Sequence, residues 1–313
     1  MYPVLFYLYK LPISPYGVLL ALALVIGVAL SLWRARRVGM RDDVVLDTAF
    51  FGVLSGFAGG RAAYILTHWS EFTQRPLALI FDRAGFTFLG GLIVALAVCV
   101  WVIRRRGERP FRVGDVMTPS LALGHALGRV GCFFAGCCYG SVCPPEFAAW
   151  GVSYPLRHDA TGAPLMPPAL YDQIERQALP PDATRSLAVW PVQLMESAGL
   201  LLIFIALWLL WRRRRFDGQI VCVYLASYSC LRFALEFLRG DADRGIWAGL
   251  STSQWLSIGC VASAGALWWR LRTIPLAPMS LEPVAAAGEA MRTGAPPDRP
   301  PGRSRRRHRR GGK

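Results

Sequence analysis

Residues 16–37 read YGVLLALALVIGVALSLWRARR. From Tyr16 to Trp33 there is no charged side chain, and Arg34, Arg36 and Arg37 follow at once. A helix needs about 20 mainly apolar residues to cross the hydrocarbon core of a bilayer, so this run has the length and the basic flank of a spanning helix. The same signature recurs at Phe86–Ile103, Val189–Trp211 and Ser251–Trp269. It is weaker at Val44–Leu66 and Phe111–Phe134, which carry polar residues, and at Gly218–Leu238, which carries Arg232 and Glu236. With 54% of its 313 residues hydrophobic, the chain lacks the polar surface of a soluble domain. The reading is an all-α integral membrane protein of about seven transmembrane helices.

Basic residues set the expected orientation. They gather after the first span (Arg34, Arg36, Arg37, Arg41), the third (Arg104, Arg105, Arg106, Arg109, Arg112) and the fifth (Arg212 to Arg215). These alternate turns share a side, and the positive-inside rule makes it cytoplasmic. An odd number of spans puts Arg305, Arg306, Arg307, Arg309 and Arg310 there too, with the N-terminus periplasmic. The first span is expected to be retained, because a signal peptide carries its charges before the apolar stretch. The net charge of +15 is accounted for at span ends, so no nucleic-acid partner is expected. Residues 1–274 then form the membrane domain, with a small periplasmic loop subdomain at about 141–188. Residues 275–313, rich in Pro, Gly, Ala and Arg, form a disordered basic cytoplasmic tail suited to anionic lipid. No internal repeat stands out, which argues against the inverted repeats of many transporters.

Ionisable residues inside spans are costly and mark functional sites when they face the interior. Tyr224, Tyr228, Arg232 and Glu236 recur every four residues and form one ridge of a helix. Arg232 and Glu236 are spaced to pair with each other, as structure or as part of a ligand site. His125, Arg129 and Cys132 share a face of another span, and Arg129 has no acid near it in sequence. Two arginines converging from two spans would clamp a phosphate, since guanidinium keeps its charge when desolvated and meets phosphate bidentately. In a membrane that phosphate is most simply a phospholipid headgroup. Around Arg129, GRVGCFFAGCCYG (128–140) supplies glycines that let the backbone line a ligand site. Gly52, Gly56 and Gly60 have the close-packing spacing of spanning helices, and Arg61 and Tyr64 follow on the same helix.

The order of motifs resembles the bacterial prolipoprotein diacylglyceryl transferase family over nearly all of residues 13–270. The resemblance is carried by Ser14-Pro15-Tyr16-Gly17, Gly59-Gly60-Arg61 with Tyr64, Phe88-Leu89-Gly90-Gly91-Leu92-Ile93, and Gly128-Arg129-Val130-Gly131 with Gly140. It continues through Trp150-Gly151-Val152, WPVQLMES from Trp190, Tyr228, Arg232, Glu236, Phe237 and Arg239, and Ser253-Gln254-Trp255. It implies an inner-membrane enzyme that moves a diacylglyceryl group from phosphatidylglycerol to the lipobox cysteine of a prolipoprotein, releasing glycerol 1-phosphate. By the same resemblance Arg129 and Arg232 are the catalytic phosphate clamp, and Tyr16 and Tyr228 donate to headgroup oxygens. Gln193 and Glu196 form part of the wall, while Arg61, Gly91, Cys132, Cys137, Gly140 and Glu236 complete the substrate site.

The departures bear on mechanism. Where the family carries a histidine thought to assist thiol deprotonation this chain has Leu89, and where it carries asparagine and glutamate this chain has Cys132 and Cys137. Either His125 substitutes as base, or it is a satisfied helix-interface histidine and the two arginines alone lower the substrate thiol's pKa. The cysteines at 132, 137, 138 and 143 read first as structural or cavity-lining thiols, second as a disulfide such as Cys137–Cys143, and third as a metal site. Cys99, Cys222, Cys230 and Cys260 read as small core hydrophobes. No cofactor or metal is expected, and the chain is expected to act as a monomer on phosphatidylglycerol and lipobox precursors. The rival is a divergent relative kept as a lipid-binding or thiol-redox membrane protein.

Overall fold

A computed structural model of the chain describes residues 4–8, 11–81, 85–158, 162–240, 245–274 and 276. Helix α1 (Pro15–Arg37) starts on Ser14, whose side chain accepts from the Gly17 amide at 3.1 Å, with Pro15 pre-set at the first helical position. It is followed by α2 (Asp42–Thr67), the short α3 (Trp69–Gln74) and α4 (Pro76–Phe81), then α5 (Phe88–Arg105) and α6 (Pro110–Ala135). After α6 come a 3₁₀ turn (Pro145–Trp150), α7 (Pro168–Glu175), α8 (Val192–Trp211), α9 (Gln219–Glu236) and α10 (Thr252–Leu271). Short hairpins, Phe6–Leu8 with Leu11–Ile13, Arg157–His158 with Pro164–Leu165, and Ile246–Trp247 with Leu250–Ser251, complete the described elements.

Each of the seven expected spans coincides with a helix of 18 or more residues. Four of these, α1, α2, α5 and α8, are long and apolar enough to cross a membrane. The other three are diluted by the polar residues they present, among them His125 and Arg129 in α6, Arg232 and Glu236 in α9, and the serines of α10. The outer surface is strongly apolar, with Val25, Phe50, Leu96, Leu202 and Leu209 all exposed, as suits a surface facing lipid.

Helix α2 lies along α5, α1 along α6, and α6, α8, α9 and α10 pack in succession. Small residues set how close α2 and α5 come. A Cβ added at Gly91 would stand 2.7 Å from the Gly56 carbonyl oxygen, so only glycine permits this spacing. Near the α1–α2 turn, Arg36 pairs with Asp42 at 2.7 Å, and Arg106 reaches Asp43 and Asp47 of α2. Ala35, Val44, Val45, Val113, Val116, Leu207 and Ile220 form the main buried core there.

Arg34, one of the basic residues grouped after the first span, is fully buried. It donates to the Ser120 hydroxyl at 2.8 Å and lies 4.5 Å over the Trp208 ring. Helix packing of α1 on α6 leaves its side chain no route to solvent, and the aromatic face takes part of its charge.

The segment between α6 and α8 has a small core of its own, in which Tyr139, Tyr154, Ala169 and Val189 are buried around Val152. The tail expected over 275–313 lies, apart from residue 276, outside the described residues.

Candidate functional site

The end of the bundle where α6 and α9 finish and α8 begins gathers most of the expected site residues. Glu196, in the first turns of α8, has no exposed surface. Its Oε1 pairs with Arg129 Nη2 of α6 at 3.1 Å and accepts from the Tyr228 hydroxyl of α9 at 3.1 Å. His125 Nε2 lies 3.9 Å from the same oxygen. The partner that Arg129 lacks in sequence is thus supplied by another helix. Three helices meet on one carboxylate oxygen, while Oε2 is buried without a hydrogen-bond partner among the described residues. Unpaired buried acceptors are rare enough to need a reason.

Arg232 pairs with Glu236 at 2.6 Å one turn along α9, and Ser251 donates to Glu236 Oε1 at 2.7 Å. Ser251 also opens α10 through a capping box with Gln254. Tyr228 and Arg232 stand one turn apart on α9, so the Arg232–Glu236 pair lies next along that helix from the network on Glu196. His125 Nδ1 is 3.3 Å from the Tyr224 hydroxyl, and its ring stands edge-on to Tyr228 at 4.8 Å. Every edge of this histidine meets a polar or aromatic neighbour.

Beside the arginines, Gly136 ends α6 with φ +72°, and Cys138 holds a left-handed φ of +58°. These two residues fold the chain back so that the sulfurs of Cys132, Cys137 and Cys138 all lie within 4.8 Å of one another. The loop is pinned from both sides. Gly140 donates to the Trp190 carbonyl at 3.0 Å, and Ser141 donates to that of Leu238 at 2.8 Å. Any side chain at Gly140 would collide with the Trp190 carbonyl, 2.5 Å from an ideal Cβ. Gln193 donates to the Cys137 carbonyl at 2.8 Å and to the Tyr154 hydroxyl at 3.1 Å. Burial pushes the Tyr154 phenol up to about 12, so it meets Gln193 as a neutral hydroxyl. Tyr16, at the start of α1, rests on Gly131, where a Cβ would lie 2.8 Å from its ring, and is within electrostatic range of Arg129 and all three thiols.

Two of the expected residues stand in other company. Arg61 donates to the Gly85 carbonyl at 2.8 Å and to that of Leu79, tying down the connection between α2 and α5. Gly91 faces Gly56 and Gly60 in the α2–α5 contact, and the neighbouring Leu89 is exposed. All eight cysteines are free thiols. This agrees with the first reading of Cys132, Cys137, Cys138 and Cys143 as thiols; the second, a Cys137–Cys143 bridge, is not formed, because the strand after Gly140 runs back along residues 188–190 and buries Cys143 against Gly151. Cys222 is buried as expected of a core thiol, whereas Cys230 faces outward on α9. Sequence reasoning missed Tyr154, which carries no local signal, and Ser251, whose capping box with Gln254 was readable.

These features define a class: a helical membrane protein with a buried arginine, carboxylate and tyrosine network at one end of its bundle. Residues 3–270 match the family model described as prolipoprotein diacylglyceryl transferase, and the chain belongs to that family. Among its relatives is the phosphatidylglycerol–prolipoprotein diacylglyceryl transferase of Clostridium tetani, 30% identical over 82% of this chain and 93% of the relative. Proteins of the same name from Paracidovorax citrulli (33% identical, 74% of this chain, 78% of the relative) and a Nostoc species (32%, 88% and 91%) are similarly related.

Proposed function

We propose that this protein transfers a diacylglyceryl group from phosphatidylglycerol to the lipobox cysteine thiol of prolipoproteins. It acts as a single chain of seven spans in the bacterial inner membrane, with its N-terminus periplasmic and its C-terminus cytoplasmic. The observation that supports this reading is the buried Arg129–Glu196–Tyr228 network joining three helices, with the Arg232–Glu236 pair one turn further along the helix that carries Tyr228.

In this mechanism the two guanidinium groups hold the phosphate of the lipid. The substrate thiolate attacks the glycerol carbon bonded to the phosphate oxygen. A C–S bond forms, the C–O bond breaks, and the electron pair leaves on glycerol 1-phosphate, where the fixed positive charges stabilise it. Glu196 holds Arg129 in place, and its unpaired Oε2 accepts from a headgroup hydroxyl. Tyr16 supplies a hydroxyl donor beside the same phosphate, and Tyr228, whose hydroxyl donates to Glu196 Oε1, turns to a headgroup oxygen only when Glu196 releases it. Arg61 acts at a distance by holding the loop before α5.

The test is release of glycerol phosphate from phosphatidylglycerol by the purified protein. Release is expected with a lipobox peptide and absent with the same peptide carrying serine for its cysteine. Equal release with both peptides, or none with either, overturns the reading.

A further inference from the structure

We propose that Cys132, Cys137 and Cys138 hold a zinc ion whose fourth position takes the lipobox cysteine as thiolate, so that the metal performs the deprotonation for which this chain has no histidine at Leu89. The inference rests on the transferase reading above and names how its nucleophile is made.

Geometry comes first. Zinc binds thiolate sulfur at about 2.3 Å, so two sulfurs on one tetrahedral ion lie about 3.8 Å apart. The three sulfurs here already lie within 4.8 Å of one another without an ion between them. Their backbone is fixed by the left-handed Gly136 that caps α6, by the Cys137 amide donating to the Cys132 carbonyl at 3.2 Å, and by the left-handed Cys138 that follows. Three protein ligands leave zinc one open position, the arrangement of catalytic rather than structural sites.

Charge comes next. Three thiolates and one divalent ion carry a net single negative charge. Arg129 stands one helical turn before Cys132 on α6, and the backbone of Arg239 is bridged to Gly140, just after Cys138. A fourth thiolate would raise that charge further, which these two arginines offset. The site also stands where the nucleophile must arrive, because Arg129 is the proposed phosphate ligand.

The chemistry balances. Each protein thiol and the substrate thiol loses its proton to water on binding the metal, since a coordinating thiol is deprotonated outright. The metal-bound substrate sulfur then forms the C–S bond as the glycerol C–O bond breaks, and the electron pair leaves with the phosphate. The S-alkylated product is a neutral thioether, a poor zinc ligand, and dissociates. No oxidant or reductant is needed, and zinc changes no oxidation state.

The effect has a predictable size and pH signature. A thiol of pKa about 8.5 is only about 3% ionised at pH 7. Removing zinc should therefore lower transfer about tenfold or more at pH 7, with the deficit narrowing at pH 9 where the free thiol ionises unaided.

The experiment uses the full chain in detergent, purified under reducing conditions. Metal analysis is expected to find one zinc per chain, lost in Cys132→Ser, Cys137→Ser and Cys138→Ser and kept in Cys260→Ser, which lies outside the cluster. Cobalt titrated into the zinc-stripped protein should give a cobalt–thiolate charge-transfer band. That band should intensify with a lipobox peptide and stay unchanged with its serine counterpart. Substoichiometric metal in the reduced wild-type chain, a disulfide among the three cysteines as purified under those conditions, or no cobalt–thiolate band overturns the proposal without touching the transferase reading. So does undiminished transfer by zinc-free protein at pH 7. Because stripping and refilling act on the wild-type chain, the result does not depend on the serine variants folding. If neither form makes product, the transferase reading fails, and the response of the cobalt band to peptide still decides whether the fourth position takes a thiol.

Discussion

Two carboxylates among the described residues have no exposed surface, and they are satisfied in opposite ways. Asp115 of α6 lies near the turn between α8 and α9 and accepts only from backbone. Its Oδ2 takes the Gly218 amide at 2.8 Å, and its Oδ1 takes those of Ile220 and Val221 at 3.0 and 3.2 Å. These are the unsatisfied donors at the start of α9, so Asp115 welds one helix to the next. Glu196, toward the other end of the same packed helices, is held by side chains and leaves Oε2 unpaired. Backbone donors cannot be exchanged without undoing a helix, whereas side-chain donors can be shared with a ligand. On the proposed mechanism, one buried acid is architecture and the other is machinery.

That contrast breaks most visibly if Arg129 is removed. Arg129→Ala is expected to lower transfer about 10³-fold or more, as the loss of a phosphate-holding charge does. It also leaves Glu196 buried without its cation, at a cost of about 3–5 kcal/mol. Arg129→Lys separates the two effects. It keeps the positive charge beside Glu196, and thermal unfolding in detergent should move little, yet transfer should still fall about tenfold or more because the bidentate fork is gone.

Asp115→Ala should do the reverse. Stranding three buried amides is expected to destabilise the fold by about 3 kcal/mol or more, while the activity of the fraction that remains folded stays near wild type. The measurement is transfer rate normalised to folded protein. An equal loss of rate per folded molecule would show that the two acids do not divide as stated.

Glu196→Gln is the intermediate case. The amide oxygen still accepts from Tyr228, but Arg129 loses its counter-ion, so transfer should drop about tenfold with the lipid KM raised. The smallest effect belongs to Arg61→Ala. It loses two donated bonds to loop carbonyls, worth about 1–3 kcal/mol together, and transfer at saturating lipid should stay within a few-fold of wild type.

The same division explains what could be read from the sequence. Four of the seven long helices were legible because uncharged runs ended by arginines need no tertiary information, and the other three showed as weaker apolar runs interrupted by polar residues. The Arg232–Glu236 pair was legible because it lies one helical turn apart. The pairing of Arg129 with Glu196 was not, since it joins α6 to α8 and no local spacing encodes it. The burial of Arg34 was not legible, because only packing on Trp208 and Ser120 reveals where a span-end arginine goes. The short helices α3, α4 and α7, of six to eight residues each, are themselves too short to show a helical period. The thiols were half legible. Cys137 and Cys138 are adjacent in sequence, but the turn that returns them to Cys132 depends on two left-handed residues.

The central claim is that the end of the bundle around Arg129 and Glu196 performs the chemistry. The most direct test is mass spectrometry of a lipobox peptide incubated with phosphatidylglycerol and either the wild-type protein or Arg129→Ala. The account predicts a thioether-linked diacylglyceryl peptide from the wild type and none above background from the variant. An unmodified peptide from wild-type protein, or the same adduct at an undiminished rate from Arg129→Ala, would contradict it.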